Sequence, residues 1–368
     1  YLAARASALG IVLPIGRDGS TLSLGRERNV PIGGISRPFR PAHVWGRHLV
    51  DTLFGVQRFD IGRGELESHA LKEVAIHYGI AAPDRVYLDR SAMAQLWKEQ
   101  PEQVRVYALQ DVQETRRLAD RVLPTEFYQS QMVPDSFQNV ATGGSGEKIN
   151  SLLVREYLRQ GYGIPMSEPP VACPGGHTEI RATGVLRNVV KADVESLYPS
   201  IMLHYGIRPE SDTLNIFPPM LAELTARRLD AKARAKQPGP EAAYWDGLQS
   251  SFKILINSFY GYLGAPSFHF NDYRAATQVT STGQKLVKQV ADELERTGAR
   301  VIEIDTDGVY FVPPPGVEGV EAETAYIERV GGVLPAQIRL AHDGRYAAML
   351  SLKVKNYVLL GYDGKRIT

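Results

Sequence analysis

Apolar residues recur along this chain at two spacings. Between Val301 and Val312 they form two short β-prone runs joined at an acidic tip, Asp305-Thr306-Asp307-Gly308. Asp-Gly between such runs predicts a hairpin. Helical spacing dominates just before it. Asp272 to Arg296 carries Val279, Leu286, Val290 and Leu294 on one stripe, with Gly298 placed to end the helix. Pro218 to Lys236 and Ala242 to Tyr260 predict two more helices, and Gln237-Pro238-Gly239-Pro240 between them makes an antiparallel helical hairpin. Trp245, Leu248, Phe252, Ile256 and Phe259 form its packing stripe. Asn188 to Asp193 predicts a buried strand ending in an acid, followed by a short helix over Ser196 to Tyr205. Leu350 to Leu360 predicts a strand-like run carrying Lys353, Lys355 and Tyr357.

The first 130 residues mix both patterns and predict an α/β unit. Tyr1 to Leu9 is helix-like, Val44 to Phe54 a strand running into a helix, Ser68 to Tyr78 an amphipathic helix, and Arg105 to Val122 a longer helix stopped by Pro124. In residues 131–185 the pattern weakens. Ala141-Thr142-Gly143-Gly144-Ser145-Gly146 predicts a mobile linker, and no Gly-Lys-Ser/Thr follows to make it a phosphate loop. Ser167 to Gly176, rich in Pro and Gly, predicts a second connector.

A chain of 368 residues is long enough for two or more cores. The lone Cys173 excludes an internal disulfide framework and fits a reducing compartment, so a cytoplasmic location is expected, beside the nucleoid in a bacterium. No apolar run approaches a membrane span, so no membrane partner is expected. The net charge of +1 leaves nucleic acid open, because only a local basic face would matter. The chain starts at Tyr1 rather than Met, which suggests an excised fragment.

The acids bring chemistry into the picture. Asp305 and Asp307 are two apart and leave the same face of the chain. Paired carboxylates repel unless a cation lies between them, and Mg²⁺ favours such oxygen ligands. If the strand ending at Asp193 lies beside this hairpin, three carboxylates converge at one sheet edge. Taken singly, each acid is an ordinary turn or helix-entry residue. Arg228 and Lys232 are four apart on the first helix of the helical hairpin, and Lys253, Asn257 and Tyr260 share a face of the second. Alone, such a set would be a solvated surface.

Longer motifs decide the matter. Asp193-Val194-Glu195-Ser196-Leu197-Tyr198-Pro199-Ser200-Ile201 resembles the first polymerase signature of family-B DNA polymerases. Lys253 to Gly261 resembles the second, Asp305-Thr306-Asp307 the third, and Lys353-Val354-Lys355-Asn356-Tyr357 the basic-aromatic motif that follows. The resemblance covers residues 165–368 well. It implies template-directed addition of deoxynucleotides to a primer, two Mg²⁺ ions (Mn²⁺ able to substitute), and primer–template DNA with deoxynucleoside triphosphates as partners. Asp193, Asp307 and the Val194 carbonyl would hold metal, with Asp305 a weaker participant. Arg228, Lys232, Lys253, Asn257 and the backbone N–H groups of Ser196 and Leu197 would face the triphosphate. Tyr198 would lie beneath the sugar, Tyr260 against the nascent pair, and Lys353, Lys355 and Tyr357 along the DNA. Gly175-Gly176 resembles a template-guiding element, although Cys173 stands where the family usually has Tyr.

The implied architecture is a ribonuclease-H-like exonuclease remnant over 1–130 and a connector over 131–185. An α+β palm with an antiparallel sheet then occupies 186–215 and 263–368, around helical-hairpin fingers at 216–262. Tyr107 and Asp111 match the last exonuclease motif, but no Asp-x-Glu precedes residue 131, so no proofreading is expected. The thumb is expected to be absent. Glu303-Ile304 and Gly308 replace the family's usual Tyr-Gly and Ser around the acidic tip. A catalytically degenerate polymerase that only binds DNA, or a nuclease using the N-terminal half, stays open as an alternative.

Overall fold

A computed structural model of the chain describes residues 2–32, 35–61, 64–172 and 175–367. They form two compact units. The first comprises residues 1–152 and 228–252, the second residues 153–227 and 253–368.

The first unit is mainly helical, with α1 Leu2–Leu9, α2 Thr52–Asp60, α3 Leu71–His77, α4 Met93–Glu99, α5 Pro101–Val122, α6 Pro124–Ser130, α7 Phe137–Thr142 and the start of α8 Ser145–Arg159. Val56, Val74, Leu118 and Val122 bring α2, α3 and α5 into one core. Its strands are β1 Ser23–Leu24, β2 Arg28–Ile32, β3 Ile35–Phe39 and β4 Ala42–His43, paired only as two-stranded ribbons. The expected α/β layering is therefore corrected. The β-prone runs are short and close on each other locally, so no sheet for helices to cover arises among the described residues. The expected linker at 141–146 is also corrected. It is the end of α7, a two-residue link at Gly143-Gly144 and the start of α8, with residues 141–143 buried. Arg58 donates from one arm to the Ala141 carbonyl and from the other to Gly143 (3.2 Å), and Arg28 donates to Thr142 Oγ1 (2.7 Å). Composition reads this stretch as mobile, while two guanidinium groups fix it.

The second unit is built on a seven-stranded antiparallel sheet of β5 Thr178–Ile180, β6 Gly184–Val194, β7 Arg300–Asp305, β8 Gly308–Val312, β9 Leu340–Lys353, β10 Asn356–Leu360 and β11 Arg366–Ile367. The order is β11-β10-β9-β6-β8-β7-β5, which places β6 in the middle beside β8. The run Leu350–Leu360 is divided between β9 and β10 by a turn at 354–355, where Lys355 takes a left-handed φ of 57°. The helices are α9 Leu197–Tyr205, α10 Phe217–Ala235, α11 Ala242–Leu263, α12 Tyr273–Arg296 and α13 Val320–Val330. Val279, Leu286, Val290 and Leu294 of α12 are all buried, and α12 packs on β7 and β8. Gly298 follows α12 in a left-handed conformation, as expected of a helix end.

Helices α10 and α11 run antiparallel. Phe217 meets Phe259 (5.0 Å between ring centres), and Arg234 at the other end of α10 lies over Trp245 (4.6 Å). The residues 228–252 of this pair belong to the first unit. Asp212, with no exposed surface, anchors the entry to α10 by accepting from Phe217 N–H (2.8 Å) and Tyr157 O–H (2.9 Å). Asp212→Ala leaves the Phe217 N–H without its acceptor and the Tyr157 hydroxyl with only the Ser211 carbonyl (3.4 Å). It is expected to cost about 3 kcal/mol of unfolding free energy, read by urea denaturation.

Candidate functional site

The site grows out of one register. Strand β6 pairs with β8 so that Asp193 stands opposite Gly308, and Val194 N–H donates to the Asp307 carbonyl (2.8 Å). The two acids met separately in the sequence thus come side by side, Asp193 on β6 and Asp307 in the turn that enters β8. Three turns border them, and each turns on a non-glycine residue in the left-handed region: Ser196 (φ 49°), Thr306 (φ 60°) and Lys355 (φ 57°). Such residues are held at a cost of roughly 1–2 kcal/mol each and cluster where geometry matters more than stability.

Charge is crowded here. Burial and the Asp307 charge push the Asp193 carboxyl up to about 6, against a partial pull from Lys191. Asp307 is raised too, chiefly by burial, with Asp305 and Asp343 adding negative charge nearby. The Lys191 ammonium bridges Asp343 (2.6 Å) and Asp193 (3.4 Å). Burial alone would lower its pKa, but these two carboxylates outweigh burial and hold it above its ordinary value. Asp305 faces another cation, with Lys355 Nζ 2.9 Å from Oδ1. Among the described residues no three metal-ligating side chains gather. The pair Asp193 and Asp307 is what stands open to a hard cation. Both carboxyls are raised, first by burial and then by neighbouring acids, and Mg²⁺ favours carboxylate oxygens of this kind.

A second half of the site is aromatic. Tyr198, the second residue of α9, lies with its ring centre 4.4 Å from that of Tyr260. Burial, with Tyr260 and Asp307 beside it, raises the Tyr198 phenol to about 12. Lys253 and Asn257 are exposed on the same face of α11 as Tyr260, while Phe252, Ile256 and Phe259 are buried on the other. Leu197 is buried, so only its backbone is available to a ligand. Ser196 is half-buried at the turn. Arg228 and Lys232 lie in the first unit.

The segment before β5 straps the acidic tip. Thr306 N–H donates to the His177 carbonyl (2.9 Å), and Gln284 of α12 donates to the Gly175 carbonyl (2.8 Å). A side chain at Gly176 would meet Thr306 Cγ2 at 2.6 Å and the Tyr198 hydroxyl at 3.0 Å. Cys173 lies outside the described residues. Lys353 is exposed at the end of β9, and Tyr357 bonds Tyr310 hydroxyl to hydroxyl (3.1 Å). Lys191, Asp343 and His177 escaped the sequence reading. Lys191 alone carried a signal, as a charge inside an apolar strand.

In the first unit Tyr107 and Asp111 share the inner face of α5. Arg85, itself 3% exposed at its side chain, forms ion pairs with Asp111 and with Glu114 (2.7 Å). Its guanidinium and Lys72 lie over the Tyr107 ring at 5.0 and 4.3 Å. An arginine occupies the place beside Asp111.

Comparison with known proteins agrees with the geometry. Residues 206–363 match the family model described as DNA polymerase family B. DNA polymerase 1 of Pyrococcus abyssi is 28% identical over 404 aligned residues, which cover 100% of this chain and 50% of the relative. The DNA polymerase of Archaeoglobus fulgidus is 26% identical, covering 100% of this chain and 47% of its own length. The solved family B DNA polymerase of Pyrobaculum calidifontis superposes with a TM-score of 0.71 at 25% identity, over 100% of this chain and 49% of that one. The chain spans about half the length of the relatives it matches. The class so defined is that of the DNA polymerases. Within it the similarity is to family B.

Two outcomes follow from the site. Folded Asp193 titrates near 6 against an ordinary value of 3.8, so between these values the folded state binds more protons than the unfolded and stability falls as pH rises. Asp193→Asn should therefore raise stability near neutral pH by about 1–2 kcal/mol in the presence of a chelator, with the gain vanishing near pH 4, as read by thermal melts across pH. Gly176→Ala pushes Thr306 and with it the acidic tip. Under the polymerase activity proposed below, it should lower nucleotide incorporation roughly 10- to 100-fold while leaving the melting temperature within a few degrees.

Proposed function

We propose that this chain is the catalytic core of a template-directed DNA polymerase. The observation that carries the proposal is the placement of Asp193 on β6 beside Asp307 in the turn that enters β8, both carboxyls raised, near the Tyr198–Tyr260 aromatic pair. In this reading residues 186–215 and 263–368 act as palm, 216–262 as fingers, and 1–130 as an exonuclease-like part.

Asp193, Asp307 and the Val194 carbonyl would hold two Mg²⁺ ions, with Mn²⁺ able to substitute. Bound there, they supply charge stabilisation to the attacking 3′-hydroxyl and the leaving pyrophosphate. The chain's own residues do the rest. Backbone N–H groups of Ser196 and Leu197 at the left-handed turn suit phosphate oxygens. Lys253 and Asn257 hold the triphosphate from the exposed face of α11, and Arg228 and Lys232 add positive charge to it. Tyr198 forms a floor under the sugar, where a 2′-hydroxyl would clash, so deoxynucleotides are preferred. Tyr260 supports the new base pair. Lys355 and Lys353 follow the DNA beyond the primer end, where minor-groove acceptors are nearly independent of sequence. Tyr357 buttresses them. Gly175-Gly176 guides the template. With Asp111 paired to Arg85, proofreading is not part of the proposal. Action on DNA in a reducing compartment such as the cytoplasm is.

A second reading, binding of DNA without chemistry, rests on the Lys191 ammonium lying against Asp193 (3.4 Å) and on the replacements Glu303 and Gly308. One experiment separates the two. Primer extension is run in low salt with protein in excess, Mg²⁺ and all four deoxynucleotides. Template-matched extension that falls at least about 10³-fold in both Asp193→Asn and Asp307→Asn is the expected result. Extension that survives both substitutions sinks the assignment, and primer–template binding without extension favours the second reading.

A further inference from the structure

Glu303 is the family position that departs furthest in character, a charged residue at a site with no exposed surface. It sits on β7 opposite Tyr310 of β8 and Ile180 of β5, in the middle of the sheet's edge ladder. One carboxylate oxygen accepts the backbone N–H of Lys355 (2.7 Å). The other is buried and finds no partner among the described residues. A buried carboxylate left half-satisfied is costly, and a hydrophobic residue at this place would be cheaper for the fold. Lys355 shows what the carboxylate does. It is a non-glycine residue in the left-handed region, at the turn between β9 and β10, and that turn carries a register slip at Asn356–Tyr357. Its backbone is held by Glu303, and its ammonium, on a half-exposed side chain, is held by Asp305 two residues further along β7. The same strand thus grips one lysine at both ends.

We propose that Glu303 is a positioning residue that sets the Lys355 turn for primer–template DNA, a role that rests on the polymerase function proposed above. The carboxylate fixes the backbone, so the ammonium moves from Asp305 to nucleic acid by side-chain rotation alone. Because one acceptor oxygen is what the turn needs, the neutral amide Gln should serve in place of Glu.

The test is a double-mutant cycle in the full chain with Glu303→Leu, Lys355→Ala and the pair, and with Glu303→Gln as the conservative variant. Dissociation constants for a primer–template, steady-state extension and thermal melting are measured together. Glu303→Leu should weaken primer–template binding roughly tenfold, the size of one lost charge-assisted hydrogen bond. The loss should lie in the apparent KM for primer–template rather than in kcat. Its melting temperature should hold or rise, because a half-satisfied buried carboxylate is gone. Glu303→Gln should bind as the unaltered chain does. In the Lys355→Ala background the effect of Glu303→Leu should disappear, since the two act as one unit. Additive effects, a Gln variant as weak as the Leu variant, or a lower melting temperature with unchanged DNA affinity would each overturn the proposal. Should Glu303→Leu not fold, Glu303→Ala replaces it, and failure of both to fold assigns the carboxylate to the fold alone. Extension by the unaltered chain distinguishes the levels: with extension, an additive cycle removes only the positioning role, whereas absence of both extension and primer–template binding removes both.

Discussion

Repulsion between Asp193 and Asp307 is the constraint that organises the second unit. Two carboxylates on neighbouring strand ends cannot both stay charged in a half-buried place without something to oppose them. The sheet opposes separation with backbone hydrogen bonds, among them Val194 N–H to the Asp307 carbonyl. The buried stripe of α12 presses on β7 and β8 from behind, so the strand ends cannot splay. Lys191 and Asp343 then divide the remaining charge, drawing part of the field away from Asp193. The backbone around the acids is held in three left-handed turns that only surrounding contacts sustain. Stability is given up here so that a charged geometry persists, which is the pattern expected of a site rather than of a surface turn.

Local chemistry was legible in the sequence, and long-range pairing was not. The hairpin at 300–312, α12 with its stripe, and the α10–α11 pair all follow from spacing and from turn residues a few positions apart. Asp193 and Asp307 stood out because a strand end and a hairpin tip are themselves local signals. Lys191 and Asp343 meet across 152 residues, through the β6–β9 register, and nothing short-range announces that pairing. The same limit explains the two misread segments in the first unit. Gly and Ser at 141–146 describe a mobile chain until Arg58 and Arg28 arrive from elsewhere to hold its carbonyls and hydroxyl. Alternating segments in the first 130 residues describe α/β layering until strands prove too short to pair beyond their own hairpins.

Tyr107 and Asp111 illustrate how the surroundings of a short spacing decide what it can do. On α5 they sit one turn apart, the arrangement a metal-ligand pair would need. Arg85 is nearly without exposed surface and lies between Asp111, Glu114 and the Tyr107 ring. Removing this arginine would leave two acids facing each other, so the cluster now depends on a covalently attached cation. A guanidinium supplies charge and planar hydrogen bonds but no open coordination position. The motif therefore reads as a packing device in this unit.

The two departures at the acidic tip have different physical consequences, and each is tied to a lysine. A side chain at Gly308 would come within 2.7 Å of the Asp193 carboxylate and 3.0 Å of Lys191 Cε. Its absence leaves room for Lys191 to reach Asp193 and Asp343 at once. Glu303 lies on the other side of the tip, where its carboxylate takes the Lys355 backbone while Asp305 takes the Lys355 ammonium. One replacement thus admits a cation to Asp193, and the other secures a cation on Asp305. Together they sort the three aspartates. Asp305 has its counter-charge within ion-pair distance, and Asp193 and Asp307 share a single, partly diverted one. That inequality in neutralisation separates Asp193 and Asp307 from Asp305, although the Asp-Thr-Asp pair is what the chain presents most plainly.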